Sequence, residues 1–187
     1  MIEDPDAELV ARVGRGDREA ARSLIDRHLP KMMTLARRML SDPVEAEDVV
    51  QESFLRLWKH AGAWRPGQAK FETWLYRVTL NQCYDRLRRR TTSNLDDAIH
   101  VADPTPDPEM SLGKRDVSSA ILHAIEQLPG RQRAAIVLCH YQDCGNVEAA
   151  EILGISVEAL ESLLARGRRA LREKLQHLKE GEGKPQR

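Results

Sequence analysis

Aromatic side chains are scarce in this sequence, with two Phe, three Trp and three Tyr among 187 residues. There are three cysteines, an odd number that argues against a disulfide framework. No apolar run approaches the roughly 20 residues of a spanning helix, so membrane insertion is not expected. The opening residues Met1-Ile2-Glu3-Asp4-Pro5-Asp6 lack the basic-then-apolar order of a signal peptide. These absences point to a cytoplasmic protein. Clean apolar/polar alternation is missing as well, and valines and isoleucines fall at helical spacing, so the chain reads as all-α. There is no Gly-rich phosphate loop, nucleophile elbow, HExxH or pocket-forming carboxylate pair, and His28, His60, His100, His123, His140 and His177 are dispersed. Neither an enzyme nor a bound cofactor is expected.

The formal net charge is zero, but charge is unevenly placed. Residues 1–92 carry 17 Lys+Arg against 14 Asp+Glu, residues 93–112 carry five acids and no base, and residues 113–187 carry 12 bases against 10 acids. The middle stretch contains Asp103-Pro104-Thr105-Pro106-Asp107-Pro108, in which alternating prolines and acids can neither form a helix nor bury a core. It divides the chain into two small helical domains, 1–92 and 113–178, joined by a flexible acidic, Pro-rich linker at 93–112 and followed by a disordered tail at 179–187.

Helix signals are explicit. A short helix at 6–13 ends at Gly14-Arg15-Gly16. Asp17 can cap a helix reaching about Leu40, with Ala21, Leu24, Ile25, Leu29, Met32, Met33, Ala36 and Leu40 on its apolar stripe and a kink expected at Pro30. Asp42-Pro43, with Glu45 placed for a capping box, opens a helix at 43–61. A Gly/Pro loop precedes a helix at 70–90. Four more helices are expected at 115–128, 131–141, 146–153 and 157–178.

The last two have the spacing of a helix-turn-helix. Ala150 precedes Gly154 by four, Ala149, Leu153, Ile155, Leu160 and Leu163 take the apolar offsets, and Ser156 can cap the second helix. That helix exposes Glu158, Glu161, Ser162 and Arg166, followed by Arg168 and Arg169. Its N-terminal residues suit base edges in the major groove and the later arginines suit phosphates. This makes the C-terminal domain a candidate duplex-DNA reader.

Seven of the eight aromatics crowd between Phe54 and Tyr84: Phe54, Trp58, Trp64, Phe71, Trp74, Tyr76 and Tyr84. Arg65, Lys70, Arg77, Arg86, Arg88, Arg89 and Arg90 lie among or just after them. Aromatic faces with guanidinium groups make a platform for unpaired bases. Phe54 and Phe71 fit a core better, whereas Trp64 in its Gly/Pro loop does not. Helix 43–61 has an apolar stripe of Val50, Phe54, Leu57 and Trp58. A separate mixed face of Asp48, Gln51, Glu52, Leu55 and Lys59 is a candidate protein-binding surface.

Taken in order, these pieces resemble the extracytoplasmic-function (group IV) sigma factors of bacterial RNA polymerase. The resemblance rests on Ala46-Glu47-Asp48-Val49-Val50-Gln51-Glu52-Ser53-Phe54-Leu55-Arg56-Leu57-Trp58, on Phe71-Glu72-Thr73-Trp74-Leu75-Tyr76-Arg77 with Asn81, and on Asp85-Arg86-Leu87-Arg88-Arg89-Arg90. Leu128-Pro129-Gly130-Arg131-Gln132-Arg133 and the helix-turn-helix ending Ala165-Arg166-Gly167-Arg168-Arg169 complete it. The resemblance implies that Asp48, Gln51, Glu52 and Leu55 bind the clamp helices of core polymerase. It implies that loop 61–70, with Trp64, Arg65 and Lys70, captures an extruded minus-ten base, and that Trp74, Tyr76, Arg77 and Asn81 flank the melted strand. Arg86, Arg88, Arg89 and Arg90 would hold duplex phosphates. Glu158, Glu161, Ser162, Arg166, Arg168 and Arg169 would meet the minus-thirty-five element, with the second domain also touching the flap. The linker would thread through the polymerase. An anti-sigma factor would hold the chain inactive, selecting a compact form from the many interdomain arrangements expected of the free chain. The chain departs from the family at Glu158-Ala159-Leu160-Glu161 and at Asn146-Val147-Glu148-Ala149-Ala150-Glu151, so the minus-thirty-five sequence itself is not predicted.

Two other readings compete. A stand-alone helix-turn-helix regulator would need no aromatic cluster. A metal- or redox-sensing regulator could use Cys139, His140 and Cys144, but adjacent helical residues diverge by about 100° and the CxxC spacing of zinc sites is missing.

Overall fold

The computed structural model describes residues 4–64, 69–93 and 112–181, with side chains except at 91–93, 112–118 and 177–181. Arg65, nearly all of the expected linker and the chain beyond Gly181 lie outside the described residues. The described residues form eight helices and no strand: α1 Ala7–Gly14, α2 Arg18–Leu40, α3 Pro43–His60, α4 Phe71–Ser93, α5 Leu112–Glu126, α6 Gly130–Tyr141, α7 Asn146–Leu153 and α8 Val157–Gly181. A single 3-10 turn, Ala61–Ala63, follows α3. The fold is all-α, as expected, although α5 starts earlier than expected and α8 runs past 178.

The caps define where helices begin. The Asp17 carboxylate accepts hydrogen bonds from the Glu19 and Ala20 amides at 2.9 and 3.1 Å. Those bonds, with the Arg12 guanidinium, hold its carboxyl below the usual range. Asp42 caps α3 in the same way, through Val44 N–H and Glu45 N–H, with Pro43 in the first turn. Caps of this kind stabilise a helix by about 1 kcal/mol each. The expected Glu45 capping box does not form, because the Glu45 carboxylate pairs with Arg90 at 2.8 Å instead. Helix α2 continues through Pro30 to Leu40.

Helices α2, α3 and α4 enclose the first core, with Leu24, Met32, Leu35, Val49, Leu57, Phe71, Leu75 and Leu80 buried. Leu29, expected on the buried stripe of α2, is at the surface, while His28 is inside because Asp6 reaches it. Ser53, Thr79 and Gln82 form a buried polar cluster that ties α3 to α4: Thr79 Oγ1 lies 3.1 Å and the Gln82 amide 2.7 Å from Ser53 Oγ. Ala134, Ala135, Ile136, Val137 and Leu138 of α6 are all buried. The reason is that α6 lies between α2 on one side and α8 on the other. A Cβ on Gly167 of α8 would sit 3.1 Å from Ile136, so glycine permits this close approach.

The second helical unit rests directly on the first. Arg133 of α6 is buried and its guanidinium donates to the carbonyls of Met39 and Leu128. Gln142 accepts from the Tyr76 hydroxyl at 3.0 Å and donates to Lys31 O at 3.1 Å. The Arg38 guanidinium lies 3.8 Å above the Tyr141 ring. In this structure the two units therefore pack against each other, chiefly through α2 with α6 and α4 with α7.

Candidate nucleic-acid interface

Three surfaces gather the residues singled out by sequence. The first is the outer face of α3. Asp48, Gln51, Glu52 and Leu55 are all exposed, Leu55 at 59%. Val44 and Trp58 extend the same stripe, with Trp58 47% exposed. Trp58 therefore does not belong to the buried stripe on which the sequence reading put it. The spacing 44-48-51-55-58 is a three-four repeat along one helix face and was the available signal for it. Glu52 lies within 3.4 Å of Arg86.

The second surface is a groove of about 510 Å³ between the end of α3 and the start of α4, lined by Trp64, Ala69, Trp74, Arg56 and His60 among others. Trp64 leaves the 3-10 turn in an extended conformation, with its N–H bonded to His60 O and Ala61 O. Trp74 is half-buried and stacks on Phe71, ring centroids 5.9 Å apart and planes inclined by 28°. Lys70 is exposed, one residue before α4 and next to Ala69 of the lining. The two indoles and the flanking cations are the groups an unpaired base needs, a stacking face and positive charge.

The third surface is the side of α4 that carries Tyr76, Arg77, Asn81 and the arginines. Here the placement is uneven. Tyr76 is 1% exposed and its hydroxyl points to Gln142, so the expectation that it faces nucleic acid is not met in this arrangement. Arg77 donates to Glu151 O at the end of α7, with Nε at 3.1 Å. Arg77, Asn81 and Tyr84 face Arg131, Ile152 and Leu153 across a cleft of about 400 Å³. Burial pushes the Tyr84 hydroxyl up to about 12. Arg90, expected on phosphates, instead donates to Leu40 O at 3.0 Å and pairs with Asp42 and Glu45. It caps the C-terminus of α2, where a cation meets the negative end of the helix dipole. Arg88 pairs with Asp85 at 2.8 Å, and Arg88 and Arg89 are exposed.

The helix-turn-helix forms as expected. Gly154 has φ +63°, a left-handed conformation that a glycine adopts without strain, and its N–H caps α7. Ser156 Oγ accepts from Ala159 N–H at 3.2 Å. Ala149, Ala150, Ile152, Leu160 and Leu164 are buried, whereas Leu153, Ile155 and Leu163 are only partly so. Glu158, Glu161, Ser162, Arg166, Arg168 and Arg169 are all exposed on α8. Hydrogen bonds from its own amide and from Ser156 hold the Glu158 carboxyl below its usual range, so this acid serves the helix N-terminus. Burial pushes the Cys83 and Cys144 thiols up to about 12 and raises that of Cys139, which disfavours the thiolate that metal binding or redox chemistry needs.

Comparison with known proteins assigns the chain. Residues 24–92 match the model for sigma-70 region 2, and residues 118–171 match a model for sigma-70 region 4. The chain is 33% identical to the ECF RNA polymerase sigma factor SigW of Bacillus subtilis, over 90% of this chain and 96% of that one. It is 35% identical to SigM of Mycobacterium tuberculosis, over 96% and 89%. Among solved structures, CnrH in complex with the cytosolic domain of CnrY superposes with a TM-score of 0.70 at 27% identity, covering 93% of this chain and 99% of that one. RpoE in complex with the anti-sigma factor NepR from Bartonella quintana gives 0.68 at 25%, covering 83% and 96%. The chain belongs to the extracytoplasmic-function sigma factors of the sigma-70 family.

Proposed function

We propose that the chain directs RNA polymerase core to a promoter and opens it, with three surfaces doing three jobs. The exposed stripe of α3, centred on Asp48, Gln51, Glu52 and Leu55, docks on the clamp helices of core. The Trp64–Trp74 groove takes a base extruded from the minus-ten element, with Arg77 and Asn81 beside the unwound strand and Arg86, Arg88 and Arg89 near duplex phosphates. The exposed face of α8 reads the minus-thirty-five element while its unit touches the flap. Residues 1–92 and 113–178 act as the two domains, and 93–112 as the linker that threads the polymerase. The protein works in the cytoplasm and has no catalytic residues of its own.

The groove is the observation that carries this reading. Extruding a base costs a few kcal/mol. Stacking returns about 1–3 kcal/mol per base, so two indoles facing one slot are sufficient to offset it. Support for control by an anti-sigma factor comes from the similarity to RpoE solved with NepR. Such an inhibitor would prolong the packed arrangement, in which α4 is already occupied by α7.

Run-off transcription with purified core polymerase, on the promoter upstream of the chain's own gene, tests the reading. A discrete start site with a permanganate-reactive minus-ten region is expected. Duplex binding by the free chain with no strand separation in the presence of core would favour a stand-alone helix-turn-helix regulator.

A further inference from the structure

We infer that the segment from Asp4 to Gly14, which precedes the matched region 24–92, is part of the strand-separation site and positions both walls of the Trp64–Trp74 groove. The inference rests on the reading that this groove receives the extruded base.

One wall is the first turn of α4. The Asp4 carboxylate bridges two helix starts: Oδ1 accepts from Asp6 N–H at 2.9 Å and Oδ2 accepts from Phe71 N–H at 2.7 Å. Phe71 N–H is one of the orphan donors of a helix N-terminus, and an acid supplied from 67 residues away satisfies it. The Phe71 ring is held from its other side. Its edge-on partner is His28, with centroids 5.4 Å apart, and His28 Nε2 lies 2.8 Å from Asp6 Oδ2. Asp6 is itself buried and also accepts from Arg27. Phe71 is therefore fixed at its backbone by Asp4 and at its ring by the Asp6–His28 pair. Trp74 stacks on that fixed ring.

The other wall is the turn that carries Trp64. A Cβ on Gly14 would lie 3.0 Å from Gly62 Cα and N and 3.1 Å from Ala61 C, tighter than most side-chain carbons approach backbone. The last turn of α1 thus sets the position of Ala61–Ala63, three residues before Trp64 ends the turn. Between the two walls, buried Val10 contributes to the groove's lining. A segment that touches both walls determines their separation.

The test uses the full chain bound to core polymerase and a promoter carrying 2-aminopurine in the minus-ten element, which brightens on extrusion. Asp4→Ala and Gly14→Ala are each expected to lower the fluorescence rise about five-fold, which for Asp4→Ala is the size of effect that loss of one helix cap gives. Core affinity and binding to a minus-thirty-five duplex should stay within about two-fold, a split that a general loss of folding would not produce. Trp74→Ala is the control for the groove itself. If Trp74→Ala abolishes the rise while Asp4→Ala and Gly14→Ala leave it intact, the inference is overturned and the functional reading stands. If either the Asp4 or the Gly14 variant loses core affinity and base extrusion in parallel, the inference is likewise overturned. A normal rise with Trp74→Ala would remove the groove reading and this inference together.

Discussion

The outer face of α3 and the matching face of α4 differ in one respect that orders the whole mechanism. Both carry residues assigned to binding, yet Asp48, Gln51 and Leu55 of α3 stand in solvent, while Arg77 of α4 is bonded to Glu151 O and Tyr76 is buried against Gln142. The face proposed for polymerase is open, whereas on the α4 face proposed for the unwound strand Tyr76 and Arg77 are engaged by the second unit. On the proposed assignment, polymerase docks first, and the unwound strand reaches Tyr76 and Arg77 when the second unit leaves. The covering contact is suited to reversal. Arg133 is buried on carbonyls, with its Nε unpartnered and no carboxylate hydrogen-bonded to it among the described residues, and burial lowers its pKa. A charge desolvated with so little compensation keeps the closed form from being strongly favoured.

Substitutions on each face should separate the two roles. The largest effect is expected for Trp74→Ala, which should reduce promoter opening about 10- to 100-fold, the equivalent of one lost stacking partner, with core affinity nearly unchanged. Permanganate footprinting beside a core-binding titration checks this, and parallel losses would make Trp74 a core residue only. Next, Asp48→Arg should weaken core association about ten-fold through charge reversal, with the thermal midpoint unaltered because the side chain is exposed. Unchanged association would remove Asp48 from the interface.

A smaller effect is expected for Gln142→Ala. It deletes two hydrogen bonds across the contact, each worth about 0.5–1.5 kcal/mol, and strands the buried Tyr76 hydroxyl. The free chain should populate separated forms, visible as a larger radius in small-angle scattering, and should bind single-stranded minus-ten oligonucleotide several-fold better. An unchanged radius would mean that the contact does not depend on this side chain. The smallest effect concerns thiols. Cys144 is buried beside Gln142 and is felt by Lys31 and Glu72 of the first unit, whereas Cys83 lies inside the first core. Burial pushes both thiols up to about 12, so at pH 8 both are protonated, and because alkylation requires the thiolate both react slowly. Gln142→Ala should speed alkylation of Cys144 modestly and leave Cys83 slow. Equal acceleration of both would indicate unfolding rather than opening.

What could be read in advance was local. Asp17, Asp42-Pro43 and Gly154-x-Ser156 are signals whose physics acts within four residues, and the structure bears out each of them. The exposed face of α3 was legible for the same reason, because helical periodicity sorts its residues. Arg90, Arg133 and His28 were not legible. Each is a polar residue whose partner, Leu40 O, Met39 O or Asp6, lies 22 to 94 residues away. Composition near Arg86–Arg90 suggests a uniform basic patch, but the fold spends Arg90 on capping α2. Tyr76 sits at an aromatic position that suits stacking, and only the packing of α6 and α7 against α4 decides that it is covered.

The ordering of the two faces is tested most directly by placing a photo-crosslinking amino acid at Asn81, which is exposed on α4 at the cleft facing Arg131, Ile152 and Leu153. In the free chain, crosslinks should form within the molecule, to α6 and α7. On addition of core polymerase and promoter they should transfer to the non-template strand. Crosslinking of single-stranded DNA by the free chain as efficiently as by the polymerase complex, or an undiminished internal crosslink within the open complex, would contradict the account.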